Sequence, residues 1–134
     1  RDPRVRAVVH VHSPHAVALS CREPWAAHCA IAPVTPYFLM KVGQVPLISY
    51  AAPGDPRQAD EVRGNPWRFS AVLLANHGQI AAGIDIASAL TKVVEIEEAA
   101  RTLLLQPDAH YRLLDETQIL ELTERNGPPW RTPR

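Results

Sequence analysis

Residues 5–13 read VRAVVHVHS, a β-branched segment with one proline shortly before it and another directly after it. This composition predicts a strand, because branched side chains pack well on a pleated sheet and proline interrupts regular pairing. Side chains alternate between the two faces of a strand, so His10 and His12 share one face, about 6.6 Å apart along it. Val11 points to the opposite face and can enter the core.

The histidine pair is a candidate metal site, since two imidazoles at that spacing can converge on an ion about 2.0–2.1 Å from each nitrogen. A second segment strengthens this hypothesis. Residues 71–78 read AVLLANHG, which predicts a short buried strand over 71–75 and a turn at Asn76-His77-Gly78. His77 is then held at the rigid end of a core strand, where functional side chains are often placed.

Together, His10, His12 and His77 leave a fourth coordination position open, which is typical of a catalytic rather than a structural metal site. The alternative is that all three are incidental, two on a half-exposed strand and one in a hairpin turn. We interpret the chain's other histidines as surface or loop residues: His15, His28 and His110.

The rest of the chain mixes helices and strands. Helices are predicted at residues 15–20, 35–41, 56–63 (capped by Asp55) and 85–105, with a last one from about Asp115; strands are predicted at 45–50 and 79–82. Strand 79–82 pairs back on 71–75 as a hairpin, and Pro46 places strand 45–50 at an edge or bulge. The pattern indicates α/β or α+β with an at least partly antiparallel sheet. We assign residues 1–125 to one domain and 126–134 to a Pro-rich tail.

The helix over 85–105 carries a carboxylate within its apolar face. At about 100° per residue, that face comprises Ile86, Ala89, Leu90, Val93, Ile96, Ala100, Leu103 and Leu104. Glu97 falls inside it, and a buried carboxylate is costly unless it is paired. Glu97 either pairs with an arginine or accepts a hydrogen bond from a metal-bound imidazole, as outer carboxylates do in metal sites. Asn76, beside His77, is a second candidate for such a positioning role.

Composition and motifs argue against several classes of function. Fourteen basic residues balance fourteen acidic ones without a basic stripe, which argues against nucleic acid and anionic membranes as partners. The apolar runs are too short to span a bilayer. Two cysteines without metal-binding or paired spacing favour a reducing compartment, so we expect a cytoplasmic protein. Phosphate-loop, dinucleotide and nucleophile-elbow motifs are not found in the sequence.

The two histidine motifs resemble those of the class II aldolase/adducin family. Residues 8–14, VVHVHSP, are similar to that family's VxHxHS strand, and residues 71–78 are similar to its LLxNHG strand and turn. The helix over 86–104, which contains Glu97, matches the helix that follows. The resemblance extends to about residue 125. Within the family, residues 35–43, 46–47 and 53–56 most resemble the branch of 3-oxo-tetronate 4-phosphate decarboxylases.

The resemblance implies a three-layer α/β/α sandwich around a largely antiparallel sheet. It also implies a homotetramer with active sites at subunit interfaces, and a divalent cation, usually Zn²⁺ with Mn²⁺ or Co²⁺ as alternatives, held by the residues matching His10, His12 and His77. The expected substrate is a small phosphorylated sugar acid or ketose. Its bond cleavage leaves an electron pair that a metal-polarised carbonyl accepts as an enediolate. Decarboxylation of a 3-oxo-tetronate 4-phosphate is the leading hypothesis; aldol cleavage, 4-epimerisation and a non-enzymatic, adducin-like interaction domain are the alternatives.

The family's N-terminal portion does not precede the first histidine motif. That portion carries the phosphate-binding loops and an acidic residue near the metal, so the catalytic acid/base is not assigned to any residue of this sequence. The chain starts at Arg1 without an initiator Met and almost at once enters an apolar segment, from which we expect upstream residues to be missing. If these residues were the whole molecule, we would expect no turnover.

Overall fold

A computed structural model of the chain describes residues 2–106, 108, 110–124 and 127–134. Its helices and strands follow in the order β1 (Ala7–Val11), α1 (Pro14–Ser20), α2 (Pro36–Lys41), β2 (Leu47–Ile48), α3 (Pro56–Gly64), β3 (Ala71–Leu74), β4 (Gly78–Gly83), α4 (Ile86–Leu105) and α5 (Glu116–Thr123). Each of the predicted helices is confirmed to within a residue or two. Asp55, Asp85 and Asp115 cap the helices that follow them, because each side chain accepts a main-chain N–H of the first turn.

The four strands form one mixed sheet in the order β1-β4-β3-β2. Strand β4 pairs antiparallel with both β1 and β3, so the predicted hairpin is confirmed, whereas β2 runs parallel to β3. The expectation of a largely antiparallel sheet is therefore met only in part. Strand β2 is an edge strand, as Pro46 predicted, but it is much shorter than residues 45–50. The reason is that Pro46 has no N–H and the N–H of Val45 donates to Cys29 Sγ instead.

The two faces of the sheet are covered differently. Helices α1, α2, α4 and α5 contribute to the main core on one face, together with Val9, Val11 and Leu73 of the strands. A smaller cluster on the other face joins β2 and β3 to Val62 of α3. Directly opposed residues share a face, and His10 lies opposite Ile80, which belongs to the smaller cluster. His10 is therefore on the less covered face, where the neighbouring Val8 is 64% exposed.

The buried face of α4 is rotated relative to the predicted one. Ile86 and Leu90 were expected in the core, but they are 58% and 46% exposed. The buried positions are Ala89, Val93, Ile96, Ala99 and Ala100. This rotation toward Ala99 leaves Glu97 on the rim of the buried face rather than at its centre.

Even α4, the longest helix in the described part of the chain, does not meet the requirements for crossing a membrane, nor does any other described helix.

The C-terminal segment packs against the domain. The predicted boundary between residues 125 and 126 lies outside the described residues, but residues 127–134 can be followed. Gln44 is fully buried and bonds this segment: its Nε2 donates to Thr132 O over 2.9 Å, and its Oε1 accepts from Thr132 N over 3.2 Å. Trp130 packs against the main core. Residues 127–134 therefore contribute to the fold, and the division of the chain at residue 125 stays a prediction.

His28, predicted as a surface or loop histidine, lies in a turn but is not on the surface. His28 is only 6% exposed, and three tryptophan rings lie around it with centroids 4.9–5.7 Å away: Trp25, Trp67 and Trp130. Burial, and then the charge of Arg131, lower the pKa of His28. Residues far apart in sequence form this cluster, so no local pattern could have placed His28 in it.

Candidate metal centre

The three predicted histidines come together at one end of the sheet. Their rings lie 4.8–5.0 Å apart between centroids, and one ligand nitrogen from each can be chosen so that all lie within 4.8 Å of one another. His10 is on β1, whereas His12 lies one residue beyond that strand, which ends at Val11. The strand is shorter than predicted because its partner β4 begins at Gly78 and Pro14 already starts α1. The cluster is thus built from the end of β1 and the turn between β3 and β4.

The hydrogen bonds of His10 fix which of its nitrogens faces the other histidines. Its Nδ1 lies 2.9 Å from the main-chain carbonyl oxygen of Gln79. A carbonyl only accepts, so Nδ1 carries the hydrogen in this contact and the Nε2 lone pair of a neutral ring faces inward. His12 Nε2 is 3.0 Å from His10 Nε2, so His12 is placed to donate to the His10 lone pair.

This geometry fits a tetrahedral metal ion. Nitrogens bound at about 2.0–2.1 Å in a tetrahedral site are about 3.4 Å apart, close to the 3.0 Å that already separates the two Nε2 atoms of His10 and His12. Neutral imidazole is the form that binds metal. His10 also has the outer hydrogen bond from its second nitrogen that ligating histidines usually make. One nitrogen from each ring lies within 4.8 Å of the other two, so the rings would have to draw closer together to hold one ion.

The turn that carries His77 is held by α1. Asn76 adopts a left-handed conformation with φ of 57°, which asparagine tolerates better than most residues. The main-chain N–H of Asn76 donates to Ser20 O over 3.2 Å, and that of His77 donates to Ser20 Oγ over 3.3 Å. Ser20 is buried at the end of α1. Sequence reasoning missed it, since a serine in a short helix gives no signal of a contact 57 residues away.

Electrostatics favour neutral His77. Burial, followed by the charges of His10 and His12, lowers the pKa of His77. A cation at this position is disfavoured by two neighbouring imidazoles, so the ring is kept in the form that can donate a lone pair to a metal. The same arrangement makes metal binding compete with protons.

Among the residues that the structure describes, Glu97 has neither of the two partners expected for it. Its carboxylate accepts from His15 Nδ1 over 2.7 Å and from the main-chain N–H groups of His15 and Ala16 over 3.1 and 2.9 Å. These amides belong to the first turn of α1, whose N–H groups have no partner within the helix. Glu97 on α4 thus caps α1, the helix that directly follows His12. His15, predicted as a surface or loop residue, is the partner that the sequence did not reveal.

We expect the substitution Glu97→Gln to destabilise the fold by about 1–3 kcal/mol, because an amide cannot accept all of these bonds. Burial raises the pKa of the Glu97 carboxyl, but hydrogen bonds from His15, Ala16 and Ser13 outweigh it and lower the pKa below its ordinary value of 4.5. The stabilisation is therefore present above about pH 4.5 and is lost as the pH falls through the folded-state pKa. Urea unfolding at pH 7 and at pH 4 measures both effects.

Glu98→Gln is the matched control for this prediction. Glu98 is the next residue on α4, and its exposed carboxylate lies 3.6 Å from Arg101. Exposed pairs contribute little, so this variant should unfold within about 0.5 kcal/mol of the wild type. Equal stabilities for the two variants at pH 7 would show that Glu97 does not cap α1.

Comparison with known protein families gives one match over most of the chain. The family model described as Class II Aldolase and Adducin N-terminal domain matches residues 1–104.

This chain spans only part of the length of the individual relatives that it matches. The chain is 39% identical over 122 residues to a protein of Pectobacterium atrosepticum named 3-oxo-tetronate 4-phosphate decarboxylase, and 36% identical over 125 residues to one of Haemophilus influenzae with the same name. These matches cover 91% and 93% of this chain but 56% and 60% of the relatives. Among solved structures, YgbL of Escherichia coli, described as a candidate aldolase, epimerase or decarboxylase, is similar with a TM-score of 0.83 and 39% identity. That match covers 90% of this chain and 58% of YgbL.

Proposed function

The chain belongs to the class II aldolase and adducin family, and from this premise we propose that it carries the metal site of a carbon–carbon lyase. The proposed reaction is decarboxylation of a 3-oxo-tetronate 4-phosphate through an enediolate. The observation that carries the proposal is the convergence of His10, His12 and His77. The relatives named for this decarboxylase support the choice of substrate. Since the chain spans 56% and 60% of those two relatives, the activity is proposed for the whole protein that contains it.

We assign His10, His12 and His77 as the ligands. When bound, the ion supplies Lewis-acid stabilisation of the negative charge that develops on a substrate carbonyl oxygen. His10 presents Nε2 because Gln79 O holds its Nδ1 hydrogen. His77 stays neutral because its pKa is lowered. Three neutral ligands leave the full charge of the cation available to an anionic substrate, and they leave a coordination position open.

Asn76 and Glu97 are proposed to position this site rather than to bind metal. Asn76 supplies the left-handed residue of the turn before His77. Glu97 fixes the start of α1 next to His12. Neither residue is proposed as the catalytic acid or base, which we leave unassigned in this chain.

Further features follow from the family assignment as proposals. We propose zinc as the metal, because a three-histidine donor set suits it, and a homotetramer with active sites between subunits. The exposed Val8 beside His10 supports an additional layer over this face of the sheet, which would complete a three-layer sandwich. Two cysteines that form no disulfide, Cys21 and Cys29, agree with a cytoplasmic location.

The experiment is an assay of the full-length gene product with 3-oxo-tetronate 4-phosphates. We expect metal-dependent release of carbon dioxide that is lost after chelation and restored by Zn²⁺, Mn²⁺ or Co²⁺. Release of an aldehyde from a ketose phosphate, without decarboxylation, would favour the aldolase alternative. A purified protein that holds no divalent metal would contradict both, and would favour an interaction domain without chemistry.

A further inference from the structure

Gln79 occupies a position where its neighbours predict an apolar residue. It lies on β4, the strand that pairs on both sides, opposite Val11 and Leu73. Its side chain is 0% exposed and points toward the main core, as those two partners do. A buried carboxamide is costly without hydrogen bonds. Its presence on a central strand therefore needs an explanation that core packing does not supply.

The carboxamide of Gln79 connects the strand to the turn after His12. Its Nε2 donates to Ser13 Oγ over 2.5 Å and lies 3.4 Å from Val93 O of α4. Its Oε1 is buried and has no hydrogen-bond partner among the residues that the structure describes. The shorter of the two Nε2 contacts is the one with Ser13, and this contact gives a reason for a glutamine at this position.

Ser13 is free to accept this bond because Glu97 has taken over its usual role. Ser13 is the N-cap residue of α1, and a serine there normally accepts a main-chain N–H of the first turn. Here its side chain makes no such bond, because those N–H groups donate to Glu97. The Ser13 hydroxyl instead accepts a hydrogen bond from Gln79 Nε2, and Ser13 directly follows His12.

The main chain of Gln79 acts on the other histidine of the pair. Its carbonyl oxygen accepts the Nδ1 hydrogen of His10 over 2.9 Å. One residue thus contacts His10 directly and reaches His12 through Ser13, and these are the two histidines whose Nε2 atoms lie 3.0 Å apart.

We propose that Gln79 is a further positioning residue of the three-histidine site: its carbonyl selects the tautomer of His10, and its carboxamide holds Ser13 so that His12 faces His10. The proposal rests on the proposed metal site, since positioning serves metal binding. The side chain acts on His12 and the main chain on His10, so substituting the side chain disturbs His12 alone.

The variant Gln79→Met tests this, with Gln44→Met as its matched control. Both glutamines are 0% exposed and both bridge two segments, but Gln44 bonds Arg68 and Thr132. We expect Gln79→Met to lower the affinity for Co²⁺, measured by competition with a chromophoric chelator, by roughly 10–100-fold, the usual cost of losing an outer partner. Gln44→Met should stay within threefold of the wild type. Equal losses of Co²⁺ affinity in both variants would mean that Gln79 stabilises the fold in general and does not position His12.

A double-mutant cycle with Ser13→Ala tests the route of the effect, and the Ser13→Ala variant alone still tests it should Gln79→Met fold poorly. Contacting residues give non-additive changes, so Ser13→Ala should lower Co²⁺ affinity by a similar factor and the double variant should lose little more. Additive losses, or a Ser13→Ala variant with wild-type affinity, would overturn the proposed connection to His12.

Imidazole ¹⁵N spectra of the metal-free protein separate this inference from the function proposed above. In the wild type, His10 should show the Nδ1–H tautomer and His12 the Nε2–H tautomer. In Gln79→Met, His12 should average between tautomers while His10 is unchanged. If the wild type binds no Co²⁺, the metal site is wrong, and these spectra still decide whether Gln79 holds His12; an unchanged His12 spectrum in the variant refutes the inference.

Discussion

Replacing His77 with alanine is expected to lower the affinity for Zn²⁺ or Co²⁺ by more than the roughly 100-fold that loss of an outer partner can cost. His77 is one of three candidate ligands, and its loss leaves two protein ligands where catalytic sites usually have three. The loss should come from metal binding and not from folding. The His77 ring is partly exposed, and the main-chain bond from its N–H to Ser20 survives the substitution. Chelator competition measures the affinity, and thermal unfolding of the metal-free variant measures the stability.

His110→Ala is the control for that experiment. His110 is exposed and lies outside the three-histidine cluster, so its removal should change neither affinity nor stability. In the wild type, the affinity for Co²⁺ should also fall as the pH is lowered, because protons compete for the imidazole nitrogens. If His77→Ala binds Co²⁺ as tightly as the wild type and with the same visible spectrum, His77 is not a ligand.

Local sequence patterns were enough to predict most helices and the hairpin. Asp55 and Asp85 begin helices because a short acidic side chain accepts the first-turn N–H groups, and this depends on neighbours in sequence only. The hairpin around Asn76 is likewise local. The parallel pairing of β2 with β3 joins residues that α3 separates, so the sequence of neither strand indicates this pairing.

The candidate site was predictable where it depends on spacing. His10 and His12 were brought together by strand periodicity, and His77 by its place at the end of a buried strand. The supporting residues were not predictable in the same way, because each acts across the fold. Ser20 holds the turn of His77 from α1, and Gln79 reaches Ser13 from the central strand. The one available signal was a glutamine inside an otherwise apolar alternation.

Glu97 shows where a correct signal led to the wrong partner. A carboxylate near an apolar helix face does require partners, and Glu97 has them. Sequence could not choose among them, because the rotation of α4 toward Ala99 is set by packing on the sheet. That rotation brings Glu97 to the rim and against the first turn of α1. The resulting cap leaves Ser13 available to Gln79, so one tertiary contact determines another beside the metal site.

Gly78→Ala should disrupt the fold and the candidate metal site together. Gly78 is not needed for a left-handed conformation, because among the described residues positive φ at glycine occurs at Gly43 and Gly54. What approaches Gly78 is strand β1. A Cβ at this position would lie 2.5 Å from Val11 O and 3.0 Å from His12 Cδ2, both closer than van der Waals contact allows.

The strands must separate to admit this methyl group, since the first clash is with main chain and no rotamer relieves it. We expect a loss of about 1–3 kcal/mol in the free energy of unfolding, typical of overpacking. Because the second clash pushes the His12 ring, Co²⁺ affinity should fall as well, by roughly tenfold or more. Gly64→Ala at the end of α3 is the matched control, because no heavy atom lies within 4 Å of its added Cβ. It should change the stability by less than about 1 kcal/mol and leave Co²⁺ affinity unchanged. A Gly78→Ala protein that unfolds and binds Co²⁺ like the wild type would mean that the end of β1 and His12 do not pack against this turn.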